Sequence, residues 1–458
     1  MTNLQEIAHS EDYGQYEIKD LYQATQYLLQ EFQKSKAEPE KLNDIIDHLK
    51  KRLEGQAAYP LAILLESSQL GIRHQLQKEW NSPMKQRQLF LFESLFYQFR
   101  GKVPPTVWNQ ICLNYAEVLI YVGRSIDGLH VLEGMVENEN DPSYQRKDAE
   151  RGWGLLFYST FLPGKEEKAD ALHRSRELLS KGAEEIKDPN GRALYAERLK
   201  LAQKMLQDIG PVDVTANYKP NFFEGRENDY RTWCAKEHLL LNPDNEVDPE
   251  GTMKVDTLRF RYKGEDKEQG AFLEAFMDSL LSEFTTQREQ LYEALIEKDA
   301  SQPERNEQLK SVYRHTFSLF NKTAQFLNHY HELKVSSPLA GMQRLWFEDN
   351  HPKNELKPFI RDSKNGALKA LYWLSKEMYG YERSESQNAG MIRALQLRDQ
   401  MERSFVQVIN KKEEIAETGE LRKHQATQVE LERLALSTCF KARNALMYLM
   451  FAISSGKK

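Results

Sequence analysis

A group of charged residues near the C-terminus has the composition of a reactive site. In the stretch LQLRDQMERSFVQV, Leu395–Val408, Arg398 and Glu402 are four residues apart, and each is followed directly by another charged residue, Asp399 and Arg403. Residues four apart on a helix share one face, so Arg398 and Glu402 would project side by side. Arginine stabilises anionic groups and a carboxylate exchanges protons, so this spacing fits an enzyme site. A solvated ion pair on a helix flank fits it equally well.

The apolar residues of the same stretch predict the helix that would position this group. Leu397, Met401, Phe405 and Val408 recur at intervals of four, four and three residues, which is the spacing of one apolar helix face. We therefore expect a single helix through Leu395–Val408, packed by this face against the rest of the protein.

The composition indicates a globular protein of more than one domain. The 458 residues carry a formal net charge of -6, with 40% hydrophobic and 29% charged residues. Such a chain is apolar enough to fold, and its length favours two or three domains. The slight negative charge argues against a nucleic-acid protein that acts by charge alone, but it leaves a local basic patch open.

Cysteine usage and the lack of long apolar runs predict a cytoplasmic protein. Cys112, Cys234 and Cys439 are far apart and odd in number, which argues against a disulfide framework or a zinc ribbon. The N-terminus lacks the cationic and apolar regions of a signal peptide. The apolar stretch Ala445–Ile453 is much shorter than the ~20 residues of a membrane span. We expect it to be the buried end of a terminal helix, with no membrane association.

The first 212 residues are predicted to form successive helices. One helix is predicted by the apolar period of Leu42, Ile45, Ile46, Leu49 and Leu53. The segment Ile111–Val136 resembles a tetratricopeptide repeat (TPR), with Tyr115 and Ala116 at packing positions and Gly123 at the turn. A second, less regular unit is expected from Trp153 to Pro189. Residues 1–212 are therefore predicted to be a TPR-like array that binds a protein partner, with an ordinary helical bundle as the alternative.

Residues 213–267 differ in composition from the segments on either side. They are rich in Asn, Pro, Asp and Gly, and they contain the aromatic residues Phe222, Phe223, Tyr230 and Trp233, which favour burial. Within this segment the alternation of TLRFRY, Thr257–Tyr262, predicts a short strand. We expect a structured connector and not a free linker.

Long helices are predicted again over residues 268–458. Phe272, Phe276, Leu280 and Phe284 step by four residues. Further helices are predicted over Leu309–Leu333, Ala367–Met378, Met391–Val408 and Val429–Ile453. The whole chain is therefore predicted to be all-α, with a helical bundle as its last domain.

Four blocks in this second half resemble one known family. YRTWCAKEHLLLNPDNEV (Tyr230–Val247), FSLFNKTAQFLNHYHEL (Phe317–Leu333), NGALKALYWLSKEM (Asn365–Met378) and KARNALMYLMFAI (Lys441–Ile453) are similar to blocks of a bacterial branch of the HEPN superfamily (higher eukaryote and prokaryote nucleotide-binding). The resemblance implies a helical, often dimeric domain behind TPR-like helices. It also implies RNA or nucleotide as the ligand, and metal-independent endoribonuclease activity in the active members.

The active members of the family carry an Arg followed after four to six residues by a His, and Arg-Asn-x-x-Glu-His is expected in this branch. Arg398 and Glu402 match that motif, whereas Asp399 replaces the Asn and Arg403 replaces the His. A guanidinium group stays protonated and cannot serve as a base. The resemblance thus places the catalytic motif at these four residues and predicts that normal ribonuclease activity is lost.

These observations predict a cytosolic bacterial regulatory or defence protein of the toxin type, with a HEPN-like half that dimerises and binds RNA or nucleotide. Two alternatives are an interaction scaffold with a purely structural HEPN-like bundle, and a peptide-sensing regulator. The pairs Arg344–His351 and Arg124–His130 also fit the motif spacing, but neither lies in the expected helix. No cofactor and no metal are expected, since the chain has no Walker loop, HExxH or GxGxxG motif.

Overall fold

The computed structural model describes residues 4–8, 10–35, 39–77, 79–212, 229–248, 255–296, 301–336, 339–379, 389–410 and 419–454. These residues are predominantly α-helical, as predicted. The first helices are α1 (Leu4–Ala8), α2 (Ile18–Ser35), α3 (Pro39–Leu53), α4 (Tyr59–Gln77), α5 (Pro83–Phe99), α6 (Pro105–Tyr121), α7 (Ser125–Glu133), α8 (Pro142–Gln145), α9 (Lys147–Ser159), α10 (Lys165–Glu185) and α11 (Pro189–Ile209).

The remaining α-helices and β-strands are α12 (Tyr230–Lys236), α13 (Asp244–Val247), α14 (Lys267–Leu295), α15 (Gln302–Tyr330), α16 (Pro358–Arg361), α17 (Gly366–Tyr379), α18 (Ala389–Arg403), β1 (Gln407–Ile409), α19 (Glu420–Lys423), β2 (Gln425–Thr427) and α20 (Gln428–Ser454). The strands β1 and β2 form a two-stranded parallel sheet in which Val408 is opposite Ala426.

Several helices begin at residues whose side chains bond the free amides of the first turn. Asp188 accepts hydrogen bonds from the first turn of α11, and Asp266 does the same for α14. At the start of α15, the backbone N–H of Ser301 donates to Glu304 Oε2 at 2.8 Å. Such caps stabilise helix ends by about 1 kcal/mol each, so they help to define where the helices begin.

The chain divides into two compact units. The first comprises Met1–Leu119, Val131–Lys147 and Ser384–Gly390, and the second comprises Ile120–His130, Asp148–Arg383 and Met391–Lys458. The second unit therefore contains α9, α10 and α11 together with the C-terminal helices. The division at residues 212 and 267 expected from the sequence, and the repeat character of the N-terminal half, stay predictions.

The core of the first unit lies between its N-terminal helices. The predicted apolar face of α3 is confirmed, because all five of its residues are at most 2% exposed: Leu42, Ile45, Ile46, Leu49 and Leu53. They pack with residues of α2 and α4, including Leu21, Phe32 and Leu65. Burial of these apolar side chains is the main stabilising contribution to this group of helices.

In the second unit α20 is the central helix. It packs against α14, α15 and α17, and its last part, Ala445–Ile453, is buried on every side, as predicted. Within the described residues, no helix combines the length and the apolar character that a membrane span requires.

The prediction of one helix through Leu395–Val408 was wrong at its C-terminal end. Helix α18 ends at Arg403, so Phe405 and Val408 leave the predicted helical face. Val408 belongs to β1, because backbone groups of the following segment bond to β2 instead of continuing the helix. The β-branched residues of VQVI favour the strand, and pairing with a distant segment outweighs the local helical period.

The predicted strand Thr257–Tyr262 does not pair with another strand within the described residues. Its alternation is nevertheless real, since Leu258 and Phe260 are 7% and 6% exposed while Thr257 and Arg259 face solvent. The backbone amides of Thr257 and Leu258 both donate to Leu241 O, so the segment is attached to a loop.

The connector also makes side-chain contacts with the C-terminal helices. Arg288 of α14 donates to the Tyr230 hydroxyl at 2.8 Å and to Asp256 Oδ2 at 2.7 Å. The Trp233 ring lies 5.3 Å from the Tyr292 ring. Tyr230 and Trp233 are half-buried, whereas Phe222 and Phe223 lie outside the described residues.

The turn between α6 and α7 provides a test of backbone strain. Gly123 has φ +88, and a Cβ added to it would lie 2.8 Å from the carbonyl oxygen of Gly366. We expect Gly123→Ala to lower the free energy of unfolding by about 2–5 kcal/mol, because left-handed strain adds to a steric clash. Gly101→Ala is the control, since Gly101 has φ +71 and open space around it. It should cost only ~1–2 kcal/mol in urea unfolding, and equal losses would contradict the steric argument.

Candidate functional site

Arg398 and Glu402 form the ion pair that their spacing predicts. Arg398 Nε donates to Glu402 Oε1 at 3.0 Å, and the two side chains are 20% and 39% exposed. The Arg398 guanidinium also lies 4.4 Å from the centre of the Phe317 ring on α15. This cation–π contact holds the arginine against the protein while one side stays open to solvent.

A second arginine from α15 reaches the end of the same helix. Arg314 Nη1 donates to the Met401 carbonyl at 3.5 Å, and its Nε has no hydrogen-bond partner within the described residues. Arg403 follows in the last turn of α18, and both it and Asp399 are exposed. We name Arg314, Arg398 and Arg403 the α18 arginine cluster.

The sequence pattern did not identify Arg314 or Phe317 as neighbours of this cluster. Both lie in VYRHTFSLF on α15, three residues apart and therefore on one helix face. Their spacing alone contains no indication of α18, because the contact joins two segments more than 80 residues apart. Only the packing of α15 against α18 brings them together.

Two tyrosines whose rings lie next to Phe317 form hydrogen bonds, and one of them, Tyr313, bonds to α18. The Tyr313 hydroxyl donates to Ala394 O at 2.8 Å, and the Tyr379 hydroxyl donates to Asn321 Oδ1 at 3.2 Å. Burial raises the pKa of both phenols, so they remain protonated donors. The Phe317 ring beneath Arg398 in turn contacts the Tyr379 ring, and the centres of these two rings are 5.7 Å apart.

Two residues of the family-like helix α15 have structural partners. Asn321 Oδ1 also accepts from the Met342 amide at 3.3 Å, and Lys322 pairs with Glu283 on α14. Both side chains therefore have partners within the protein. His329 stacks edge-on against Phe272, and His331 contacts other rings.

The other pairs with the motif spacing lie in different surroundings. Arg124 is 3% exposed and pairs with Asp127 at 2.8 Å and with Glu377. His130 packs against the Phe440 ring, with 4.4 Å between ring centres. Arg344 lies in an irregular turn. Of the pairs considered from the sequence, only the one on α18 presents its arginine from a helix to solvent.

The segment Arg443–Tyr448 also fits the spacing of the family motif, but it was not predicted as a site from the sequence. Arg443 is followed by Asn444 and, five residues after the arginine, by Tyr448 in the position of the His. The signal was the pair Arg-Asn inside KARNALMY, a block already quoted for the resemblance. Arg443 is completely buried, and it donates to Leu240 O at 2.8 Å and to Glu246 Oε1 at 2.6 Å. This arginine therefore serves as an internal clamp and is inaccessible to a ligand.

A buried ionic network surrounds the same turn of α20. Glu377 of α17 contacts both Lys441 and Arg124, and the Tyr448 hydroxyl donates to Asp127 Oδ2 at 2.9 Å. Burial alone would raise the pKa of Glu377, but the two cations outweigh it and lower that pKa to about 2. The carboxylate therefore stays ionised at neutral pH.

The comparisons with known proteins agree with the resemblance in the C-terminal part. Residues 265–456, which contain α14 to α20, match the family model described as LA2681-like HEPN. This match supports membership of that segment in the HEPN superfamily and favours an RNA-related or nuclease-like function. No curated protein and no solved structure matches the chain.

The buried network predicts a pH-dependent loss of stability. Glu377→Gln removes the buried negative charge that Lys441 and Arg124 share, which should cost about 3–5 kcal/mol of unfolding free energy at neutral pH. Because the folded pKa of Glu377 is below its ordinary value of 4.5, its contribution is complete above that value and is lost as pH falls toward 2. The difference between wild type and variant, measured by urea unfolding, should therefore shrink in acid.

Glu402→Gln is the matched control for this measurement. It removes the same charge from the exposed pair with Arg398 and should cost less than ~1 kcal/mol. A variant at Glu377 that behaves like this control would contradict a stabilising role of the network.

Proposed function

We propose that the chain is a cytosolic bacterial regulatory or defence protein of the toxin type. Its HEPN-like half would bind RNA or nucleotide through the α18 arginine cluster, without normal ribonuclease activity. The observation that carries the proposal is the exposed Arg403, which directly follows Glu402 of the Arg398–Glu402 pair in the last turn of α18, at the position where a proton-transfer group is expected.

The chemistry of RNA cleavage explains why an arginine in place of the expected His matters. When a 2′-hydroxyl attacks the neighbouring phosphorus, negative charge develops on the phosphoryl oxygens, and an arginine can stabilise it. The proton of the hydroxyl must also be removed, a step to which a His contributes about 10²–10⁴-fold. Arg403 cannot accept a proton. Glu402 is engaged by Arg398, and the exposed Asp399 adds negative charge next to a polyanion's site.

The replacement of the expected His by Arg403 favours the binding of RNA. Guanidinium groups form paired hydrogen bonds with phosphate oxygens, and exposed arginines release counterions when a nucleic acid binds. Arg314 and Arg398 present their guanidinium groups from two different helices, and Arg403 adds a third at the end of α18. Three cations with a partly exposed surface therefore fit an RNA backbone, although the whole chain is acidic.

The first test measures cleavage and binding separately. Wild-type protein incubated with total RNA or tRNA in EDTA should leave the RNA intact, yet it should shift labelled RNA with a Kd that weakens as salt rises. Arg398→Ala should weaken binding roughly 10-fold, since a charged hydrogen bond is lost. Arg174→Ala is the control, because it removes one arginine from an exposed ion pair with Glu177 on α10.

A restored variant extends the same test. Combining Asp399→Asn with Arg403→His recreates the expected Arg-Asn-x-x-Glu-His motif. It should cleave RNA at a rate roughly 10²-fold above the background measured with wild type, and adding Arg398→Ala should abolish this cleavage. Binding without any gain of cleavage would contradict the assignment of the altered motif to α18. A protein that binds no RNA or nucleotide but captures a tight protein partner would be an interaction scaffold or a peptide-sensing regulator instead.

The HEPN-like half is also proposed to form a homodimer, and the N-terminal helices are proposed to bind a protein partner or trigger. Both proposals come from the family resemblance and the helical hairpins. Light scattering of the full chain should give twice the mass of 53.5 kDa. A monomeric mass at every concentration tested would contradict the dimer.

A further inference from the structure

The two short strands bring an aromatic pair to the end of α18. The rings of Phe405 and His424 are stacked, with 4.6 Å between their centres and 13° between their planes. Phe405 is 55% exposed although it is a large apolar residue. Since one ring face is covered by the histidine, the exposed area of Phe405 lies on its other face and edge.

Backbone pairing fixes the geometry of this stack. The Phe405 carbonyl accepts a hydrogen bond from His424 Nδ1 at 3.0 Å, and the Gln407 amide donates to His424 O at 2.7 Å. Arg393 of α18 anchors the same strand pair through Glu430 at 3.1 Å and through the Gln425 carbonyl. The two rings are therefore held in place before any ligand arrives, which lowers the entropic cost of binding to them.

Arginines lie close in sequence to both rings of the stack. Arg403 precedes Phe405 by two residues, and Arg422 precedes His424 by two residues. Both arginines are exposed, and neither takes part in an ion pair within the described ranges. Two carboxylates nearby are already engaged, since Glu402 bonds to Arg398 and Glu430 bonds to Arg393.

We propose that the Phe405–His424 stack is a nucleobase-binding platform for single-stranded RNA, with Arg403 and Arg422 bonding the flanking phosphates. A base stacks on an aromatic ring whatever its identity, and cations beside the ring follow the backbone. A duplex hides its base faces, so the platform selects unpaired nucleotides. The inference rests on the proposed RNA binding and adds the part of the ligand that is recognised.

The exposed aliphatic residues Leu421 and Val429, which are 50% and 72% exposed, lie in the same C-terminal segment as His424. A protein partner would use such aliphatic groups together with Phe405. Stacked rings in the same segments as exposed arginines favour a nucleic acid, because a single strand supplies both an unpaired base and the phosphates on either side of it.

The test compares two RNAs that have the same phosphates. A fluorescein-labelled single strand of about 12 nucleotides is titrated against an RNA of equal length with abasic central positions, and both Kd values are measured by fluorescence anisotropy. Full-length wild type should bind the intact strand about 5- to 100-fold more tightly than the abasic strand. Phe405→Leu should abolish this preference, because it keeps an apolar side chain but removes the ring. Phe405→Trp should preserve it.

Each outcome decides between explanations. A wild type that binds both strands equally overturns the platform but leaves charge-based RNA binding intact. Absence of binding to either strand overturns both proposals. If Leu421→Ala weakens dimer formation while Phe405→Leu leaves the base preference unchanged, the surface is a contact between protein chains. Because Phe405 is largely exposed, its variants should unfold at the wild-type temperature, which separates lost binding from lost structure.

Discussion

The packing of the second unit depends on the burial of charged groups along α20. The part of this helix from Lys441 to Ile453 is buried throughout, yet it includes Lys441 and Arg443 at 6% and 0% exposure. An unpaired charge in such a place costs several kcal/mol, so each cation must meet a carboxylate from a distant segment. Glu377 of α17 and Glu246 of α13 meet this requirement. The positions of both helices around α20 therefore follow from the need to pair these cations.

Arginine has two different roles in the second unit, depending on whether its side chain is buried or partly exposed. Arg443 is buried, is fixed by backbone carbonyls and one carboxylate, and contributes to stability. Arg398 has one carboxylate partner and one aromatic surface beneath it, and it remains partly in contact with solvent. An arginine of the first kind cannot exchange its partner for a ligand without unfolding its surroundings. An arginine of the second kind loses little when a phosphate replaces the carboxylate.

The end of α18 connects this surface arginine with the aromatic stack. Because backbone pairing with β2 stops the helix at Arg403, the chain turns and presents Phe405 to solvent beside His424. A helix continued to Val408 would instead have directed Phe405 into the core. The exposed Arg403 and the exposed ring of Phe405 are thus only two residues apart, one at the end of the helix and the other in the turn that follows it.

Local spacing was enough to predict the all-α class, most of the long helices, the face of α3 and the Arg398–Glu402 pair. These features depend on residues three or four apart, whose relation is set by helix geometry alone. Spacing could not predict that α18 ends at Arg403, that Arg314 reaches it or that Arg443 is inaccessible. Each of these depends on a partner more than ten residues away in sequence, and the free energy of such contacts outweighs local preference. The sequence therefore determined which side chains share a helix face, and only tertiary packing decided which of them meet solvent.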